Sequence, residues 1–458
     1  MMITFVELRN LSYTWQTPVE KEMKRSVNDR LYRFRHYPDF VKPEEYNDTR
    51  YINTGGWIQF LIPHLKGNDF EVVWFNGDEE SKQKLKSMDS DIVLISIMTL
   101  NYQLAKEAIQ SIDRKRTKVI IGGVHPTLNP EETVEDLKPD ALVVGEADHT
   151  IEEIINNLMN GKAPSSPGVI YIDPNTKTVK KTDMANVLSP VEEIKLDWSM
   201  HLKYTDGVNK FLPIIIASRD CPYACNFCSI VKTRRFRLLP LEKVIQQITD
   251  LQQKVDGHPL HVMFEDPIFF GDINYTEKLV EALKGLNITW DCQNRVEKPT
   301  ERKKDLYRKM AEAGCRAVYF GVESSKQHVI NDANKKFKVE NIYDCLRTVR
   351  EAGILAHAGF MVGFPSQTRQ DVEDDLTFAI QAVRDNVITT IEYFFLSVYP
   401  GSMYSLYPER FGLELHDFRD FAAIERKVRH NTKHLRHDEI WNIYLEGCRR
   451  ITEAHDKY

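Results

Sequence analysis

Three cysteines, Cys221, Cys225 and Cys228, stand in the segment Cys-Pro-Tyr-Ala-Cys-Asn-Phe-Cys, directly after the apolar run Phe211 to Ala217. This spacing holds three thiolates around one corner of a cubane iron-sulfur cluster and leaves the fourth iron without a protein ligand. Zinc is the competing reading. Structural zinc takes four closed ligands in paired CxxC or CxxH knuckles, whereas here the first gap is three residues and no fourth candidate is nearby. A disulfide framework fits no better. Seven cysteines is an odd number, none precedes Cys221, and Cys292, Cys315, Cys345 and Cys448 stand singly, as reduced cytosolic thiols do.

At 458 residues the chain is too long for one core, and two or three domains are expected. With 42% hydrophobic residues it has ample material for globular packing, and a net charge of -6 gives no general attraction to nucleic acid. Met1 to Asn10 lacks a basic n-region followed by an h-region, and no apolar stretch approaches bilayer length. A soluble, cytoplasmic protein with no membrane contact is expected.

Short apolar strands alternate with amphipathic helices, which predicts an α/β fold class with parallel sheets throughout. Strands at Ile3 to Leu8, Glu71 to Phe75, Asp91 to Ile97, Lys118 to Gly122 and Ala141 to Val144 predict a Rossmann-like doubly wound domain over residues 1–160. Its ligand loops, at the carboxyl ends of the strands, carry Ser96, Thr99, Gly122, Gly123, His125, Gly145 and Glu146. An insertion over residues 9–52, rich in Tyr13, Trp15, Tyr32, Phe34, Tyr37, Phe40 and Tyr46, reads either as a lid over that face or as ordinary packing. Turn-rich residues 161–210 read as a connector.

From 211 to 400, six strand-helix units predict a partial (β/α)6 barrel, whose strand ends carry the chemistry. Those ends hold Glu265, Asp266, Asp291, Gln293, Arg295, Glu323, Ser324 and Gly363. Residues 401–458 form a small helical C-terminal region. Within it Arg426, Lys427, Arg429, His430, Lys433, His434, Arg436 and His437 read as a solvated helix face rather than an anion site.

The cysteine segment, with Phe227 before its last cysteine, resembles the signature of the radical S-adenosylmethionine (SAM) enzymes. Gly-Val-Glu-Ser-Ser (321 to 325) and Gly-Phe-Met-Val-Gly-Phe-Pro (359 to 365) resemble that family's phrases at its fourth and fifth strands. The resemblance implies that the open iron of a 4Fe-4S cluster holds SAM and cleaves it reductively to a 5′-deoxyadenosyl radical. It also implies Glu265 or Asp266 near the methionyl ammonium, Arg295 or Ser324 near the carboxylate, and Glu323 near the ribose or ammonium. Backbone around Phe227 would meet the adenine, and Gln293 and Gly363 complete the set. Cys292 ends a strand and, if it faced the lumen, could relay hydrogen atoms or protons; the plainer reading is a small buried hydrophobe.

Ile-Ser-Ile-Met-Thr (95 to 99), Ile-Gly-Gly-Val-His-Pro-Thr (121 to 127), Asn-Pro-Glu-Glu (129 to 132) and Val-Gly-Glu-Ala-Asp-His-Thr (144 to 150) resemble a second pattern, the cobalamin-binding domain attached to many radical SAM enzymes. This implies that Ser96, Thr99, Gly122, Gly123, His125, Gly145 and Glu146 cradle the corrin ring and its tail, with glycine letting backbone approach the ring. The Asp-x-His-x-x-Gly motif of a lower axial histidine is absent from residues 1–200, and Asp256-Gly-His258 reads as an ordinary turn. His149 reads as a cap.

Together the resemblances imply methyl transfer to an unactivated carbon, or a phosphorus, of a specialised metabolite or peptide, with an electron donor such as flavodoxin or ferredoxin. The alternative is radical cyclisation or rearrangement without methyl transfer, the N-terminal domain then serving substrate or structural roles. A methylthiotransferase would need further cysteine sets, which are absent, and an iron-sulfur sensor would have no use for Glu323 or Arg295.

Overall fold

The computed structural model describes residues 1–8, 17–35, 56–173, 175–184, 188–204, 213–230, 235–255, 260–416 and 427–458. They fall into two compact units. One takes the first strand and the described residues between 56 and 204, and the other takes helix Pro18–Arg35 and the described residues from 213 onward. Among the described residues no helix is long and apolar enough to cross a membrane.

In the first unit, β1 (Met2–Leu8), β2 (Asp69–Phe75), β3 (Ile92–Ser96), β4 (Lys118–Gly122) and β5 (Ala141–Val143) run parallel in the order β2-β1-β3-β4-β5. The strands are apolar along most of their length because both faces are covered. Val6, Val73, Val93 and Ile121 belong to one core, and Ile3, Phe5, Leu94 and Ile120 to the other. The order reverses between β1 and β3, so the crevice beyond their carboxyl ends is where such a sheet takes a ligand. Two further strands, β6 (Val169–Ile172) and β7 (Val179–Lys181), extend the edge antiparallel. The expected connector thus supplies part of this sheet, and parallel pairing does not hold throughout. Val169 and Ile170 are buried, and that apolar pair outweighs the turn residues around it.

In the second unit, β8 (Ile214–Ile215) leads into a two-residue ladder, β9 (Ser218–Arg219) against β10 (Arg237–Leu238). The main sheet then continues with β11 (Leu260–Phe264), β12 (Ile288–Arg295), β13 (Cys315–Glu323), β14 (Leu355–Val362) and β15 (Thr390–Phe395). Six parallel strands in the order β8-β11-β12-β13-β14-β15, with helices between them, make the open barrel. Alternation assigns the faces of β12. Trp290 donates to the Ala313 carbonyl and Asn294 to the Tyr307 hydroxyl, both on the helical side, so Asp291, Gln293 and Arg295 face the lumen. Cys292 falls on the helical side, wholly buried and hydrogen-bonded to Cys315. It does not end the strand, which runs on to Arg295, and alternation turns it away from the lumen.

The helix His437–Lys457 covers edge strand β15: Tyr393 stacks on Tyr444 at 5.9 Å and Phe395 meets Trp441 edge-on at 5.7 Å. Helix Pro18–Arg35 joins it, with Tyr444 donating to Glu20 (3.1 Å) and Lys24 paired to Glu392 (2.6 Å). The described part of the 9–52 insertion is therefore a helix of the barrel unit. Tyr13, Trp15, Tyr37, Phe40 and Tyr46 lie outside the described residues, as do Asp256, His258 and Arg426. His430 corrects the solvated-helix expectation. It sits in a strand, β17 (His430–Asn431), paired with β16 (Glu414–Leu415), and its buried ring donates to the Gly363 carbonyl at 2.9 Å.

Candidate active site

The cysteine loop is held in place by distant parts of the barrel. Asn226 donates its backbone N–H to Ala333 O (3.0 Å) and its side-chain amide to Asp332 O (2.7 Å). Asn334 donates to Ala224 O at 2.6 Å. Phe227 meets Phe364 edge-on at 5.7 Å, and the Arg295 guanidinium lies 3.6 Å from the centre of the Tyr223 ring. The three cysteines are half-buried, and none of the seven forms a disulfide. Among the described residues no three of His, Cys, Asp and Glu are arranged to hold a metal ion. Burial pushes the Cys221 thiol up, with the Tyr223 backbone and Arg295 pulling the other way.

The acids and bases at the strand ends divide into two groups. Glu265 is open to solvent yet ringed by protein, and burial pushes its carboxyl up. Arg295 and Gln293 share the lumen face of β12. Glu323 ends β13 with its carboxylate 2.7 Å from the Lys335 ammonium. This group presents a carboxylate, a guanidinium and an ion pair at the carboxyl ends of the barrel strands.

The second group is already engaged. Buried Asp266 accepts from the Ala217 N–H (3.0 Å) and the Ser218 hydroxyl (2.5 Å), so it anchors the strand entering the cysteine loop. Burial raises its carboxyl to about 6, against the pull of those bonds. Ser324 donates to Asp375 at 2.7 Å, and Ser325 and Gln367 bond the same carboxylate. Gly363, at φ 99°, donates to Gln367 and accepts from His430. These residues shape the rim through backbone. Sequence reasoning missed Lys335, Asp375, Gln367 and Tyr223. Tyr223 alone had a local signal, its place between the first two cysteines.

In the first unit the loops after β3, β4 and β5 are tied to each other. His125 is wholly buried, takes Thr99 Oγ1 at 3.1 Å on Nδ1, packs on Tyr102 at 4.5 Å, and is lowered to about 4 by burial. It fastens the β3 loop and does not present itself to a ligand. Thr99 is buried with it, while Ser96 is half-buried. Gly123, at φ 101°, matters for a different contact from the one expected, because a Cβ there would lie 2.7 Å from Ile97 N and 2.8 Å from Ser96 Oγ. Gly122 is less constrained, its nearest neighbour being Val143 O at 3.7 Å. Thr127, another residue that sequence reasoning did not single out, bridges Gly123 O and the Gly145 N–H. Glu146 accepts from Ser189 N at 2.7 Å, and His149 pairs with Ser189 Oγ at 2.9 Å. Met98 (52% exposed) and Val124 (40%) turn apolar surface outward at the carboxyl ends of β3 and β4. A flat, largely apolar macrocycle fits that edge.

Residues 215–379 match the model of the Radical SAM superfamily, and residues 57–155 that of the B12 binding domain. The chain is 29% identical over 333 residues, 69% of each protein, to an uncharacterized methyltransferase of Pyrococcus horikoshii. It is 24% identical over 346 residues to the anaerobic magnesium-protoporphyrin IX monomethyl ester cyclase of Rubrivivax gelatinosus, covering 70% of this chain and 61% of that one. The fold is similar to that of the radical SAM methyltransferase TsrM from Kitasatospora setae, solved with cobalamin and a 4Fe-4S cluster. The TM-score is 0.63 at 16% identity, over 93% of this chain and 84% of that one.

Proposed function

Because this chain joins a B12 binding domain to a radical SAM domain, we propose that it is a cobalamin-dependent methyltransferase acting on an unactivated carbon, or a phosphorus, of a small molecule or peptide. The observation that carries this reading is a loop of three half-buried cysteines fastened beside Arg295, Glu323 and Lys335 at the carboxyl ends of the barrel strands. When bound, the cluster supplies the electron that cleaves SAM to a 5′-deoxyadenosyl radical, and cobalamin supplies the methyl group.

Cys221, Cys225 and Cys228 are the cluster ligands in this reading. Glu265 and Glu323 take the ammonium and ribose edge of SAM, and Arg295 takes its carboxylate. Asp266 and Ser324 hold the backbone on which those groups stand, which supplies positioning rather than contact. Met98, Val124 and the close-packed Gly123 turn carry the corrin. A flavodoxin or ferredoxin in the cytoplasm is the expected electron donor.

Likeness to the anaerobic cyclase supports the second reading, radical ring formation without methyl transfer. Anaerobic reconstitution followed by SAM and reductant, with and without cobalamin, tests the proposal. Wild-type protein is expected to hold iron, retain cobalamin and release 5′-deoxyadenosine, and Cys225→Ala to lose the iron and the nucleoside together. Iron-loaded protein that never cleaves SAM would overturn it, and SAM cleavage with no retention of cobalamin would favour the cyclase reading.

A further inference from the structure

Residues 219–237 carry five basic side chains, Arg219, Lys232, Arg234, Arg235 and Arg237, against a single acid, Asp220, in a chain whose net charge is -6. Lys232 and Arg234 lie outside the described residues. Strand pairing gathers the other three. Arg219 stands opposite Arg237 in the β9–β10 ladder, and Arg237 Nε donates to Arg235 O at 3.2 Å. Like charges directly opposite each other weaken a ladder, and an anionic surface brought against them relieves that repulsion. Phe236 anchors the stretch, since a Cβ on Gly271 would collide with its ring, while Arg235 is exposed. Asp220 is engaged with the cysteine loop, where its carboxylate accepts from the Cys221 N–H at 2.7 Å.

The exposed surface also reaches the cysteine ligands. Ile230 is 39% exposed, and its backbone N–H donates to Cys228 Sγ at 3.5 Å. One hydrogen bond thus links solvent-facing chain to a cluster sulfur. Arg219 and Ile230 each lie two residues from a cysteine of the same loop, so the arginines and the apolar residue belong to one neighbourhood. Electron transfer between proteins weakens steeply with distance, and such encounters bury little area and are guided by charge.

We propose that Arg219, Arg235 and Arg237, with Ile230, form the docking surface for an acidic one-electron carrier of the flavodoxin or ferredoxin class. The inference rests on reading the cysteine loop as a cluster site and names where its electron enters. The carrier is oxidised by one electron and the cluster is reduced by one.

The test drives the anaerobically reconstituted enzyme at saturating SAM with reduced flavodoxin or with a small cationic reductant, reduced methyl viologen, and reads 5′-deoxyadenosine. Binding of oxidised flavodoxin is measured separately by titration calorimetry at low salt. Arg235→Glu is expected to keep its iron, to bind flavodoxin more weakly and to run about threefold to tenfold slower on limiting flavodoxin, while methyl viologen drives it at least as fast as wild type. Arg235→Lys keeps the charge and matches wild type with both. Lys254→Glu makes the same change of charge about 20 Å away along helix Leu241–Lys254 and should leave both rates unaltered. Wild type should lose its flavodoxin rate, but not its methyl viologen rate, as salt rises. Equal flavodoxin binding and rate in wild type and Arg235→Glu would overturn the proposal, as would an equal loss in Lys254→Glu. Retention of a labelled RNA duplex by wild type but not by Arg235→Glu, with flavodoxin turnover unchanged, would assign the face to nucleic acid and overturn it too. If flavodoxin binds in a charge-dependent way but neither reductant yields 5′-deoxyadenosine, the docking surface stands and the proposed function fails.

Discussion

The guanidinium of Arg295 sits 3.6 Å from the centre of the Tyr223 ring, so the lumen face of β12 is clamped to the middle of the cysteine loop. Arg295 is only 8% exposed. A cation this buried needs a partner, and the ring face supplies one without consuming all the N–H groups a carboxylate ligand would use.

Tyr223→Leu is expected to loosen the loop without removing a ligand. A partly desolvated cation–π contact is worth about 0.5–2 kcal/mol, to be read as lower stability in anaerobic urea unfolding and faster iron loss to a chelator. Tyr223→Phe keeps the ring and should match wild type in both. Equal iron loss from the two variants would show that the hydroxyl, not the ring, holds the loop.

Adjacent glycines in the first unit should respond very differently. Gly123→Ala forces a Cβ to within 2.7 Å of the Ile97 backbone at a φ of 101°, which combines left-handed strain with overpacking and is expected to cost about 2–4 kcal/mol. Gly122→Ala meets only ordinary contacts. Measured by cobalamin absorbance after gel filtration, Gly122→Ala should retain the cofactor and Gly123→Ala should not. Loss in both would mean that the ring itself presses on Gly122.

The fold was legible because buried parallel strands and amphipathic helices announce themselves over five to sixteen neighbouring residues, as in Lys118–Gly122 and Arg369–Arg384. The cluster loop was legible because its ligands are neighbours in the chain. The rest of the site is built from long-range bonds. Ser324 meets Asp375 51 residues away, and Ser218 meets Asp266 48 residues away. No spacing rule reveals that such residues are engaged, so Ser324 and Asp266 read as ligands while Lys335 and Asp375 were not singled out. Cys292 was misplaced for a simpler reason. The strand runs three residues past it, to Arg295, which puts it in the interior of β12.

Cys292→Ala should therefore be a stability variant only. Removing one buried sulfur is expected to cost about 1–2 kcal/mol, with iron content and 5′-deoxyadenosine release unchanged. A Cys292→Ala protein with normal stability and no nucleoside would restore the relay role.

Acid sensitivity should follow from His430 and His125, one in each unit, both held at about 4 by burial. At His430 the Gly363 carbonyl opposes that shift, and His416 and His437 add to it. The unfolded chain titrates near 6.5 and so takes up protons first as pH falls. Stability is then full above about 6.5 and declines toward 4, by roughly 3 kcal/mol for each ring if the shift is fully realised. His430→Gln, whose amide can still donate to the Gly363 carbonyl, gives up some packing at neutral pH but removes one of the two titrations. Anaerobic urea unfolding at pH 7.5, 6 and 5 should show a shallower acid decline in the variant. Parallel declines would mean that the imidazole gains a counter-charge on protonation, and that the C-terminal strand carries no pH-dependent grip on the Gly363 turn.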